Sequence, residues 1–104
     1  MAAHQLADGV MVDRDQLAAL CRRHGIAVIR VFGSALRADF GADSDIDILV
    51  EFEPGVDPDL FALGGIQQDL SDLFGREVDL KTPEMFSPAT LEHVLRSSRL
   101  GYAA

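Results

Sequence analysis

The sequence predicts a small α/β (α+β) domain: a short mixed β-sheet with an antiparallel pair at its centre and helices packed mainly on one face. Three observations lead there. Segments of alternating or continuous β-branched apolar character, such as Ile26–Phe32 and Asp45–Phe52, recur between segments of helical period. Those two strands follow each other too closely for a helical crossover, so they should run in opposite directions side by side. At 104 residues there is material for one core and no second one.

Residues 1–12 mix Ala, Gly, His and Asp without periodicity and are expected to form a flexible lead, with residues 13–104 as the single domain. Asp13 with Gln16 resembles a capping box. Leu17, Leu20, Cys21 and His24 then recur at helical spacing, and Gly25 closes the helix. His24 is expected to be a partly buried, hydrogen-bonded histidine rather than a ligand. Ile26–Phe32 is a buried strand that ends at Gly33-Ser34, and Ser34 is expected to open a short helix through Arg37. The polar segment Ala38–Ser44 leads into the second strand.

Glu53–Pro58 turns the chain, and Asp57 with Pro58 is expected to cap the next helix. Its buried stripe is Leu63, Ile66, Leu70, Leu73 and Phe74, and Gly75 ends it. Gly64-Gly65 inside it would cost about 1 kcal/mol each relative to Ala, which leaves either a break or a close approach by another group. Glu77–Lys81 alternates as a short strand. Ser87 and Pro88 begin a last helix with Leu91, Val94 and Leu95 inward and His93 solvated, and the tail from Gly101 is expected to fray.

In the second strand Asp45, Asp47, Leu49 and Glu51 share one face and Ile46, Ile48, Val50 and Phe52 the other. Carboxylates at i and i+2 on a rigid strand repel each other unless a cation lies between them. Hard oxygen ligands suit Mg²⁺ completed by phosphate oxygens and water. Upstream, Gly33 lets the backbone approach a ligand, and amides at the start of a helix after Ser34 would favour an anion. Asp43, Asp45 and Asp47 also have calcium-loop spacing, but the sixth and twelfth positions of such a loop would be Ile48 and Pro54 rather than Gly and Glu.

Gly33-Ser34, ten residues, then Asp45-Ile46-Asp47, followed later by Val78-Asp79-Leu80, resembles the signature of the DNA polymerase beta-like nucleotidyltransferases. Length and tail resemble their minimal, single-domain branch over roughly residues 26–100. The resemblance implies the nucleotidyltransferase fold and transfer of a nucleotide from ATP. It assigns Asp45, Asp47 and Asp79 to Mg²⁺, two ions by the family pattern, with Asp79 also taking the proton of the attacking hydroxyl. It assigns Gly33 and Ser34 to the β- and γ-phosphates. Arg37 stands where the family often carries Arg, and it is expected either to touch phosphate or to lie on the helix surface. Ala38 replaces the glycine that usually follows.

Minimal members of the family often act as antitoxins of HEPN ribonuclease toxins, some by adenylylating a toxin tyrosine. The resemblance therefore implies a protein adenylyltransferase in a hetero-oligomer. Two alternatives are an antitoxin acting by binding alone and a small-molecule nucleotidyltransferase completed by a partner subunit. The intact Asp45, Asp47 and Asp79 favour the enzyme, because binding alone does not need three carboxylates.

Composition narrows the partners. Nine Lys+Arg against 17 Asp+Glu give a net charge of −8, which disfavours direct nucleic-acid binding. No apolar run approaches the ~20 residues that span a bilayer, and no N-terminal signal pattern is present. The single Cys21 cannot form an internal disulfide and is expected to be a buried thiol. These features point to the cytoplasm.

Overall fold

Ile26–Phe32 (β3) and Ile46–Phe52 (β4) form the antiparallel centre of the sheet, with Ile29 opposite Val50 and Phe32 opposite Asp47. The computed structural model describes residues 3–7, 10–33 and 45–104. Val78–Lys81 (β5) adds to β4 in parallel and Arg99–Ala103 (β6) adds to β3 antiparallel, giving the mixed order β5-β4-β3-β6. A separate hairpin joins Ala3–Ala7 (β1) to Val10–Asp13 (β2).

Three of these strands differ from expectation. Part of the 1–12 lead is the β1–β2 hairpin, and Val12 at its end is 3% exposed in the core. The tail from Gly101 lies within β6. Its burial is partial, and it is held by backbone pairing to β3, from Val28 opposite Ala103 to Val31 opposite Arg99, and by Tyr102 packing against the core.

The helices begin where side chains can satisfy the first free amides. Asp13 accepts from the Gln16 amide at the start of Arg14–His24 (α1), and Gly25 closes it at φ +71°. Leu60–Phe74 (α2) is capped by Asp59, which accepts from the Ala62 amide at 2.8 Å. The expected Asp57–Pro58 start is therefore two residues early, and Pro58 lies outside the helix. Ser87 caps Pro88–Ser97 (α3) as expected. In α3 Val94 is buried, whereas Leu95, expected inward, is exposed.

One face of the sheet carries the main core. Ile29 and Val31 of β3, Ile46, Ile48 and Val50 of β4, and Val78 and Leu80 of β5 pack against Leu17, Leu20 and Cys21 of α1 and Ile66 and Leu70 of α2. Burial on this scale supplies most of the fold's stabilisation, at roughly 1.5–3 kcal/mol for each large aliphatic side chain. Gly64 and Gly65 do not break α2, and among the described residues neither meets a neighbour, since a Cβ on either would enter open space. The chain then crosses from β5 to β6 over the opposite face, through a 3₁₀ turn at Pro83–Met85 and α3. There the Phe86 ring meets Phe32 edge-on at 5.8 Å, and Arg30 Nη1 donates to Ser98 Oγ at 3.5 Å. Among the described residues no helix is long and apolar enough to cross a membrane.

Candidate active site

The carboxylates lie at one end of β4. Asp45 immediately precedes the strand and is exposed, and Asp47 is its second residue and half-buried. Alternation puts both on the face opposite the main core. Parallel pairing of β5 with β4 sets Asp79 directly beside Asp47, one level in from Ile46 beside Val78. The flanking residues show why the register is fixed. Ile46, Ile48, Val78 and Leu80 must all be buried on the other face, and a one-residue slip would invert every one of them.

Gly33 ends β3 at φ +71°, a conformation that a side chain disfavours. A Cβ built there would overlap Asp47 Oδ2. The Asp47 carboxylate therefore occupies the place that a side chain at residue 33 would need. Ser34 and Arg37, the other residues expected to hold phosphate, lie outside the described residues.

Sequence reasoning missed one neighbour. Lys81 follows Asp79 by two positions on the same strand face, and its Nζ lies 3.3 Å from Asp79 Oδ1. The signal was available in the alternation of Glu77, Asp79 and Lys81. Further along the face, Arg30 Nε is 3.8 Å from Glu51 Oε2, beyond hydrogen-bond reach, so that pair is held by charge alone.

The donor set suits a hard cation such as Mg²⁺: carboxylates only, two on one strand and one on its neighbour. Among the described residues no three His, Cys, Asp or Glu side chains converge closely enough to hold a metal ion. The fit thus rests on the Asp45–Asp47 pair, with Asp79 next to Asp47 on the neighbouring strand and Lys81 beside it.

His24, read as a structural residue, is one. Its Nε2 is 2.9 Å from Asp69 Oδ2, which also takes Arg23 at 3.2 Å, tying α1 to α2. Cys21 is fully buried, and burial pushes its thiol up to about 12, against a smaller opposing pull from Arg22.

Comparison with known proteins adds to this geometry. A family model for the nucleotidyltransferase domain matches residues 14–100. The chain is 38% identical over 77 residues to the protein adenylyltransferase MntA of Thermococcus cleftensis, covering 74% of this chain and 76% of that one. It is similar to a solved structure described as a candidate minimal nucleotidyltransferase, with 38% identity, 82% and 85% of the two chains covered and a TM-score of 0.67. A complex of a tri-AMPylated Shewanella oneidensis HEPN toxin with MNT antitoxin shares the fold at 22% identity. That match covers 88% of this chain and 70% of the other, with a TM-score of 0.60.

Proposed function

Because the chain belongs to the nucleotidyltransferase domain family, we propose that it transfers AMP from ATP to a protein hydroxyl on a HEPN-family toxin, acting as that toxin's antitoxin in the cytoplasm. The chain is a nucleotidyltransferase enzyme. The observation that supports the transfer chemistry is the setting of Asp47 beside Asp79 across β4 and β5, with Asp45 two residues away on the same face. The relative named a protein adenylyltransferase supports the acceptor class, and the fold shared with a complex of an AMPylated toxin supports the partner.

In this reading Asp45 and Asp47 would hold Mg²⁺, with Asp79 as a further ligand. Bound there, the metal would neutralise triphosphate charge and polarise the reacting phosphorus. Gly33 allows its backbone and the following Ser34 to approach the β- and γ-phosphates, and Arg37 adds positive charge to them. The acceptor oxygen attacks the α-phosphorus and gives its proton to the Asp79 carboxylate. The bond from the α-phosphorus to the bridging oxygen breaks, and pyrophosphate leaves.

The test is to incubate the chain with its co-expressed toxin partner and Mg-ATP and to measure the partner's intact mass. Added AMP units that are absent with Asp45→Asn would support the reading. A stable complex with no modification, and neutralisation that survives Asp45→Asn, would establish an antitoxin acting by binding alone.

A further inference from the structure

Two rows of side chains cross the sheet on the face that carries the carboxylates. Phe32, Asp47 and Asp79 stand side by side on β3, β4 and β5, and Arg30, Leu49 and Lys81 form the next row. The two cations of that second row point to different partners. Arg30 is directed away from the carboxylate pair, to Glu51 at 3.8 Å and Ser98 at 3.5 Å. Lys81 leans back along β5, across about 7 Å of strand rise between the two residues, and brings its Nζ to 3.3 Å from Asp79 Oδ1. Its own level offers no counter-charge, since its neighbour on β4 is the fully buried Leu49. Among the described residues Asp79 is the one carboxylate paired with Lys81.

This pair is weak enough to exchange. The two side chains are 38% and 46% exposed, and an ion pair so open to water contributes about 0–1 kcal/mol. A divalent cation at Asp45 and Asp47 competes for the neighbouring carboxylate with twice the charge of an ammonium. Asp79 can therefore leave Lys81 at little cost. The ammonium then stands beside the site without its partner, on a flexible stem with three N–H donors. Mg-ATP arrives with a net negative charge at three carboxylates, which repel its phosphate oxygens, while a freed ammonium attracts them.

We propose that Lys81 changes partners during binding: it holds Asp79 in the free protein, releases that carboxylate to the metal, and takes a phosphate oxygen of the nucleotide in return. The exchange rests on the metal and nucleotide roles given above to Asp45, Asp47 and Asp79. It adds a substrate-binding residue and couples the two ligands. A cation that draws Asp79 away frees the group that grips phosphate, and by linkage bound nucleotide favours the cation.

The exchange has a signature that a purely structural ion pair lacks. Without Lys81 a positive charge is gone and Asp79 is free, so a cation alone binds more tightly. The nucleotide loses a contact and binds more weakly. Mn²⁺, a paramagnetic substitute for Mg²⁺, would be titrated into the full chain and followed by EPR. Calorimetry would follow the Mg²⁺ complex of α,β-methylene-ATP, which cannot transfer AMP. Lys81→Met keeps the stem and removes the charge, and should tighten Mn²⁺ by at least about threefold while weakening the nucleotide by about tenfold. Lys81→Arg, which keeps the charge, should retain the wild-type pattern. Arg22→Met removes a charge from an exposed position of α1, on the other face of the sheet, and should leave both affinities unchanged. Failure of the wild-type chain to bind Mn²⁺ would overturn the metal site and the exchange with it. Mn²⁺ binding that Asp45→Asn abolishes and Lys81→Met leaves unchanged would overturn the exchange alone. So would two affinities that move in the same direction, or an equal effect of Arg22→Met.

Discussion

Gly33 and Asp47 occupy adjoining space so closely that any side chain at residue 33 would collide with the Asp47 carboxylate. Gly33→Ala therefore acts twice. It places a Cβ at φ +71°, which costs roughly 1–2 kcal/mol, and it forces Asp47 aside. Calorimetric titration with Mg-ATP should show affinity lost by at least about tenfold, with a fall in melting temperature of about 4–8 °C per kcal/mol lost. Unchanged affinity would mean that Asp47 does not take part in nucleotide binding.

Asp79→Asn should separate binding from transfer. Asp45 and Asp47 remain, so Mg-ATP should still bind, while AMP transfer falls by roughly 10²–10⁴-fold if Asp79 accepts the proton. Folding should hardly change, because the pair lost with Lys81 is well exposed and such pairs contribute about 0–1 kcal/mol. A wild-type transfer rate would make Asp79 a bystander.

The start of α2 can be checked by two substitutions only two residues apart. Asp59 caps the Ala62 amide, so Asp59→Ala should cost about 1 kcal/mol in urea unfolding. Asp57→Ala should cost almost nothing. The reverse order would restore the helix start that Pro58 implies.

Cys21 should make the fold sensitive to alkali. Its folded-state value of about 12 lies above the 9.0 of an exposed thiol. Between these values the unfolded chain has lost the proton and the folded chain keeps it, so stability falls as pH rises above about 9. Melting temperatures from pH 8 to 10.5 should drop more steeply for the wild type than for Cys21→Ala. Iodoacetamide should label the native thiol far more slowly than the unfolded one.

What the sequence disclosed follows the range of the forces involved. Asp13 and Ser87 were legible as caps because a cap acts within three residues. β3, β4 and β5 were legible because their buried positions alternate with polar ones. β6 was not, because Arg99–Ala103 is short and interrupted by Gly101, and it is held by pairing to a strand some seventy residues earlier in the chain and by Tyr102 on the core. The Gly64-Gly65 pair misled because helix propensity was weighed locally, whereas Ile66 and Leu70 hold α2 from the core side. At the site, the strand face of Asp45, Asp47 and Asp79 could be read from alternation. The register that sets Asp47 beside Asp79 depends on how distant segments meet.

The outer edge of β5 has a further consequence. The Val78 amide donates to Ser71 Oγ and the Leu80 amide to Gln67 Oε1, both from α2. Side chains thus occupy the donors that an incoming strand would need, and the border of the sheet next to Asp79 is closed to extension. A polypeptide bringing a hydroxyl to these carboxylates cannot dock by lengthening the sheet there. It must descend on them from above, carried on a loop or helix whose own backbone is already satisfied.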